Sequence, residues 1–343
     1  MKKRVTLFSI LFSISLHTLS CTDLGLQKGF SPKSDAILFD VILFKGQRER
    51  LFDVLSYLEI AAELGLTAKV VDGNFINRRE EFFDVSGRRK FKVMIFPGGD
   101  PSYWFAKRPK GLLPYMEGML THNINCQGVS NVLDFVKSGG SVIGLCHCGT
   151  GLFSSRKGWL NPRPADSGNL KKRYPEEKGN FNAICGTYAF KGIIIGPQEE
   201  VWPYPMALFL PLKMNPENEI VREAKVPPVV HIIVTGAGSI IPDEGQPLDV
   251  VAWFPNGTVA LGVVPYGSGR VILSGPHPNI TGERVERWRR GIMGNYAKWF
   301  RVTEKTIQEN WEKMHNNPDP DGPEPDWALA KAMLSYAYKE ASK

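Results

Sequence analysis

Apolar positions along the chain alternate between two rhythms. Residues 36–44 form an almost unbroken apolar run, the pattern of a strand buried on both faces. From 51 to 66 the apolar residues recur every three or four positions. Leu51, Val54, Leu55, Leu58, Ala62 and Leu66 make one stripe, which predicts a helix ended at Gly65. Strand-like runs return at 68–71 and 92–96, the second stopped by Pro97-Gly98-Gly99-Asp100. An amphipathic helix is expected over 129–138, with Val132, Leu133 and Val136 on its apolar face and Gly139-Gly140 after it. A further buried strand follows at 141–145. This alternation predicts a parallel sheet covered by helices and wound by right-handed crossovers.

Beyond about residue 181 the rhythm changes. Short β-rich runs appear at 192–196, 229–235, 250–254, 259–264 and 270–274, separated by Gly and Pro turns. Pro255-Asn256-Gly257 is a hairpin signal. This half reads as an antiparallel margin of the same sheet. Residues 284–300 read as a helix. Pro318, Pro320, Pro323 and Pro325 predict a stiff linker, and Asp326 is the expected cap of a last helix over 327–341.

The N-terminus follows a third pattern. Lys2, Lys3 and Arg4 precede an apolar or small-residue run at 5–16, too short to span a bilayer comfortably. His17-Thr18-Leu19-Ser20 then leads into Cys21. This resembles a bacterial lipoprotein signal, in which the cysteine is lipidated and becomes the mature N-terminus, although Thr18 and Leu19 depart from the usual pattern. A cleaved secretory signal and a retained anchor are the alternatives, and all three export the protein. The expected organisation is a signal peptide over 1–20, a tether over 21–34, an α/β domain over 35–302 and a helical tail with a Pro-rich linker over 303–343.

Composition narrows the picture further. The chain has 343 residues, 43% hydrophobic and 22% charged, which excludes a disordered chain, a small disulfide scaffold and a polytopic membrane protein. Of the net +7, three charges are Lys2, Lys3 and Arg4, so no nucleic-acid partner is expected. Lys171-Lys172-Arg173 and Arg287-Trp288-Arg289-Arg290 read as a solvated face, with contact to anionic lipid as the alternative. If Cys21 carries lipid, Cys126, Cys146, Cys148 and Cys185 remain. Cys146 with Cys148 is a poor geometry for a disulfide, and pairing of Cys185 with Cys126 or Cys148 stays open. Asp319, Asp321, Glu324 and Asp326 are spaced loosely like a calcium loop, but alternating prolines oppose the wrap, so no metal is expected, and no cofactor.

The candidate chemistry centres on Gly144-Leu145-Cys146-His147-Cys148-Gly149. A buried strand running straight into a cysteine and then a helix start is the context of a nucleophile elbow, with Cys in place of Ser. Such a turn lifts the side chain clear of the sheet, and the helix start lowers the thiol pKa. Gly98 and Gly99 follow another strand, and His277 follows a third in Gly275-Pro276-His277-Pro278. Ligands of such sheets bind at the carboxyl ends of the strands. His231 and Gly236-Ala237-Gly238 lie by a strand end and are further pocket candidates, against the reading of an ordinary turn.

These three motifs, in this order, resemble the class I glutamine amidotransferase-like superfamily. Within it they are most similar to proteins related to the N-terminal domain of biotin-protein ligases, over roughly residues 37–300. The resemblance implies a flavodoxin-like three-layer α/β sandwich with a mainly parallel sheet and a C-terminal helical extension. It also implies Cys146 as nucleophile, His277 as its partner, and an oxyanion region around Gly98, Gly99 and the backbone of His147. Two positions depart from the family pattern. Cys148 stands where the elbow usually has Gly, and Asn279 where Glu often follows the histidine. Asn279 could hold one imidazole tautomer as the third catalytic member, with Glu283 as a possible substitute acid. The expected function is an exported cysteine hydrolase of amide or other C–N bonds, acting on a small-molecule or peptide amide and held to the membrane by a lipid anchor. Two other readings stand beside it: a catalytically silent small-ligand-binding lipoprotein of the same fold, and an envelope interaction protein using the tail helix and basic patches.

Overall fold

The computed structural model describes residues 37–46, 51–98, 124–153, 193–197, 206–235, 237–242, 245, 247–299 and 304–343. All of these belong to one compact unit, residues 36–343. The expected signal peptide, the tether with Cys21, and Gly99, Lys171, Lys172, Arg173, Cys185 and Gly236 lie outside the described residues.

In chain order the elements begin β1 (Val41–Phe44), α1 (Leu51–Glu63), β2 (Ala68–Val71), α2 (Gly73–Ile76), α3 (Arg79–Phe82), β3 (Val93–Phe96), α4 (Cys126–Lys137), β4 (Ser141–Leu145) and α5 (Cys146–Gly151). They continue with β5 (Ile193–Pro197), β6 (Ala207–Met214), α6 (Glu219–Ala224), β7 (Val229–Thr235), β8 (Ala237–Pro242), β9 (Asp249–Trp253), β10 (Val259–Tyr266) and β11 (Gly269–Ser274). The last helices are α7 (Glu283–Trp299), α8 (Glu304–His315) and α9 (Pro323–Glu340).

The sheet order is β2-β1-β3-β4-β11-β10-β9-β6-β7, with β8 joined to β10 and β5 to β8. β2, β1, β3, β4 and β11 are parallel, and the strands beyond β11 pair antiparallel. This is the expected α/β flavodoxin-like arrangement. Alternate residues of β1 enter two apolar layers. Val41 and Leu43 pack with α1, α9 and the β6–β7 ribbon, while Ile42 and Phe44 pack with α2, α3 and α4.

Several expectations change. The first strand starts at Val41, because residues 37–40 form a bend with Leu38 exposed. The α1 stripe is right only in part: Val54 is buried and Leu58 and Leu66 pack against the main core, but Leu51 and Leu55 are exposed, and the buried face is Asp53, Val54, Ser56, Tyr57, Ile60 and Ala61. β6 and β8 were not expected. Pro211 interrupts the sequence pattern of β6, but it pairs with β7 only and lies before the short stretch joined to β9, so no ladder bond needs its missing N–H.

The C-terminal segment differs most. Pro323 and Pro325 do not belong to a linker. They begin α9, where the first N–H groups have no intrahelical acceptor anyway. The cap is Gly322 at φ 76°, and Asp326 lies inside the first turn. Leu329, Ala330, Met333, Leu334 and Ala337 are buried in the main core, so this helix is part of the domain and not a tail. α8 precedes it and buries Met314 against Met206, Phe209 and Trp288.

Candidate active site

The ends of β3, β4 and β11 and the first turn of α1 meet at one place. Cys146 directly follows β4 and has φ 58°, in the left-handed region. Among the described residues the other non-glycine with positive φ is Lys225, which ends α6 in an ordinary left-handed cap. A cysteine held there stores strain on the order of 1–3 kcal/mol, and such strain persists only where neighbours enforce it. The neighbours are small and close. A Cβ on Gly144 would lie 2.5 Å from Gly149 O, and one on Gly149 would lie 2.6 Å from Phe96 O. α5 therefore crosses directly over the ends of β3 and β4. The Thr150 hydroxyl donates to Cys146 O and closes the turn.

His277 leaves β11 through Gly275 and Pro276. Its backbone N–H donates to Ile233 O at 2.8 Å, and its ring packs edge-on against Trp288 at 4.7 Å between centroids. Nδ1 lies 3.0 Å from Asp53 Oδ1. A carboxylate only accepts, so Nδ1 carries the proton. Among the described residues Nε2 has no hydrogen-bond partner, and the Cys146 side chain lies close enough to act on the charge of the ring. Burial would lower the imidazole pKa. The Asp53 charge and then the Cys146 sulfur outweigh it, and the ring is pushed up to about 9. The Cys146 thiol is buried and lies 3.8 Å from Thr235 O.

Asp53 is the residue that the sequence did not disclose. It is 1% exposed. Its Oδ2 accepts the Gly98 N–H at 2.7 Å, and Oδ1 accepts Asn279 Nδ2 at 2.8 Å beside the imidazole. Gly98 is the point where all parts touch. A Cβ there would come 2.7 Å from His277 Cε1, 2.8 Å from Asp53 Oδ2 and 3.1 Å from Cys146 Cβ. An acidic residue in the first turn of an apolar helix, one turn before Tyr57, was the available signal. The more conspicuous leucine stripe masked it.

The structure thus brings Cys146, His277 and Asn279 together, with one correction. Asn279 does not hold the imidazole. It holds Asp53, which takes the ring position expected for Asn279. Gly98 is also corrected, because its N–H is occupied by Asp53 and does not face an open oxyanion position. His147 is the second residue of α5, which puts its backbone N–H in the first turn of a helix. Glu283 starts α7 with its side chain 93% exposed, away from the relay. His231 is not a pocket residue: its backbone N–H and Nδ1 both meet Asp321 Oδ2, at 2.7 and 3.0 Å. Gly238 instead packs its backbone against Gly275 and supports the turn into His277. The expected basic face at 287–290 is partly internal, since Trp288 and Arg289 are buried and Arg289 donates to Ala207 O and Asn317 O. Among the described residues no group of three or more His, Cys, Asp or Glu is arranged for a metal ion.

No protein-family profile and no curated protein matches the sequence. Solved structures do align with it. A glutamine amidotransferase from Thermotoga maritima is 11% identical, covers 88% of this chain and 98% of its own, and gives a TM-score of 0.47. A glutamine amidotransferase from Methylobacillus flagellatus is 9% identical over 87% of this chain and 94% of its own, with a TM-score of 0.42. A ThuA-like protein from Bacteroides uniformis is 10% identical over 87% and 99%, with a TM-score of 0.38. Likenesses of this size carry no argument about activity.

Proposed function

We propose that this chain is a glutamine amidotransferase-like cysteine hydrolase of amide or other C–N bonds, related in kind to the N-terminal domain of biotin-protein ligases. The observation that carries the reading is the convergence of the Asp53–His277 pair and Cys146 on Gly98, with Cys146 held at φ 58° at a strand end. Cys146 gives its proton to His277 Nε2, and the thiolate attacks the substrate carbonyl carbon. The C=O electrons move to oxygen, which accepts a hydrogen bond from the backbone N–H of His147 in the first turn of α5. Collapse breaks the C–N bond, and His277 returns the proton to the leaving nitrogen. Water, deprotonated by the same imidazole, then hydrolyses the thioester. Asp53 holds the ring tautomer and balances the imidazolium, while Asn279 and Gly98 hold Asp53. The substrate class is a small-molecule or peptide amide. Export and lipid attachment at Cys21 belong to the same proposal, and the mass of the mature N-terminal peptide tests them.

Alkylation of Cys146 by iodoacetamide, followed against pH by peptide mapping, tests the reading. Pairing with His277 should keep the thiolate populated well below the free thiol value of about 8.5. Cys146 should then react at pH 6 to 7 much faster than Cys148, and His277→Gln should remove that advantage. A second reading, a catalytically silent ligand-binding protein, is favoured by the burial of Cys146 and His277, which are 1% and 0% exposed. Slow alkylation that rises only near pH 8.5 would establish that second reading over the first.

A further inference from the structure

Acyl transfer at a cysteine needs hydrogen-bond donors where the carbonyl oxygen becomes negative. One donor assigned there by the sequence, the Gly98 N–H, is bonded to Asp53. A different residue has its backbone beside the sulfur. Thr235 is the last residue of β7, and its carbonyl oxygen is 3.8 Å from Cys146 Sγ. Its hydroxyl is buried, yet Oγ1 has no hydrogen-bond partner among the described residues. Residues of β7 alternate between two layers. Val230, Ile232 and Val234 enter the main core, whereas Ile233 packs with Ile280, Val285 and Trp288. Thr235 shares the parity of Ile233, which puts its side chain on the layer where the His277 ring packs edge-on against Trp288. A buried hydroxyl left unbonded destabilises a fold, and a bound carbonyl oxygen would relieve it.

We propose that the Thr235 hydroxyl is a substrate contact of this site, donating to the carbonyl oxygen that takes up negative charge when Cys146 attacks. The proposal rests on the acyl-transfer reading above. Thr235 keeps its own proton throughout and supplies only the hydrogen bond.

Two probes separate this role from a structural one. p-Nitrophenyl acetate acylates a thiolate through a tetrahedral oxyanion: the C–S bond forms, the C–O bond to p-nitrophenolate breaks, and Cys146 is left as a thioester. Iodoacetamide alkylates the same sulfur by displacing iodide, with no oxyanion. In the full-length protein, Thr235→Val should slow the acylation of Cys146 roughly 100-fold and leave its alkylation rate unchanged. Thr235→Ser, which keeps the hydroxyl, should restore most of the acylation rate. Equal acylation in wild type and Thr235→Val would overturn the proposal. Parallel loss of both rates would do the same, by making Thr235 a structural residue. Absence of any acylation in the wild type would instead remove the acyl-transfer reading itself, a distinct result.

Discussion

Asp53 and Asp326 each lie in the first turn of a helix, α1 and α9, and each is withdrawn from water. Their surroundings differ in kind. Asp53 accepts the Gly98 N–H and Asn279 Nδ2 and faces the His277 ring. Among the described residues neither Asp326 oxygen has a hydrogen-bond partner, and the charges near it are Asp319 and Asp321. Burial and then those like charges push its carboxyl up to about 9, so it is neutral at pH 7. The same residue type, equally buried, thus serves as a counter-ion in one place and as a protonated acid in the other. Donors aimed at the carboxyl make the difference, and burial alone does not.

The largest expected effect tests the first half of that contrast. Asp53→Asn should reduce acyl transfer about 10⁴-fold, as loss of an orienting carboxylate does in hydrolases of this logic. It should also lower the upper limb of the pH–rate profile from about 9, because burial still depresses the imidazole pKa while its counter-ion is gone. A limb that stays near 9 in this variant would show that Asp53 does not set the charge of His277.

Asn279→Ala comes next. It removes one of the three donors to Asp53 and leaves the Gly98 N–H and the His277 Nδ1–H in place, so about a tenfold loss is expected. Steady-state rates of the single and double variants should show that Asn279→Ala adds little once Asp53→Asn is present, since the amide acts through that carboxylate.

Asp326→Asn should not change activity and tests the second half. The folded state binds the Asp326 proton more tightly than the unfolded chain does. Its contribution is therefore complete below about pH 3.8 and declines as pH rises to about 9. His277 adds a decline of the same sign between about 6.5 and 9. Urea unfolding at several pH values should show a flatter decline in Asp326→Asn, with the His277 portion remaining. An unchanged slope would mean that Asp326 is not the buried acid described.

The parallel core was legible because its strands are short, continuous apolar runs bounded by Gly and Pro, and Cys146 and His277 were legible because each follows such a run. Asp53 was not. Leu51 and Leu55 are larger and more hydrophobic than Asp53 and Ser56, so periodicity placed the leucines inside, whereas the inward face carries the charge that His277 requires. A relay residue breaks the local rule by which faces are recognised. The start of the C-terminal helix was misread for a related reason. Proline density suggested a linker, but proline in a first helical turn is compatible with the helix, and only the tertiary core decides between the two.

The hydrogen bond between His277 and Asp53 closes a loop of 224 residues. Contacts of such separation are entropically expensive and form late in folding. β11 must dock beside β4 before His277 can reach the sulfur. A collapsed intermediate, however helical, therefore holds Cys146 as an ordinary thiol, and a chain shortened before β11 never activates it. During refolding, the appearance of a fast-reacting Cys146 at neutral pH would time the arrival of the last parallel strand. The residue expected to carry the chemistry doubles as a clock for the sheet that builds it.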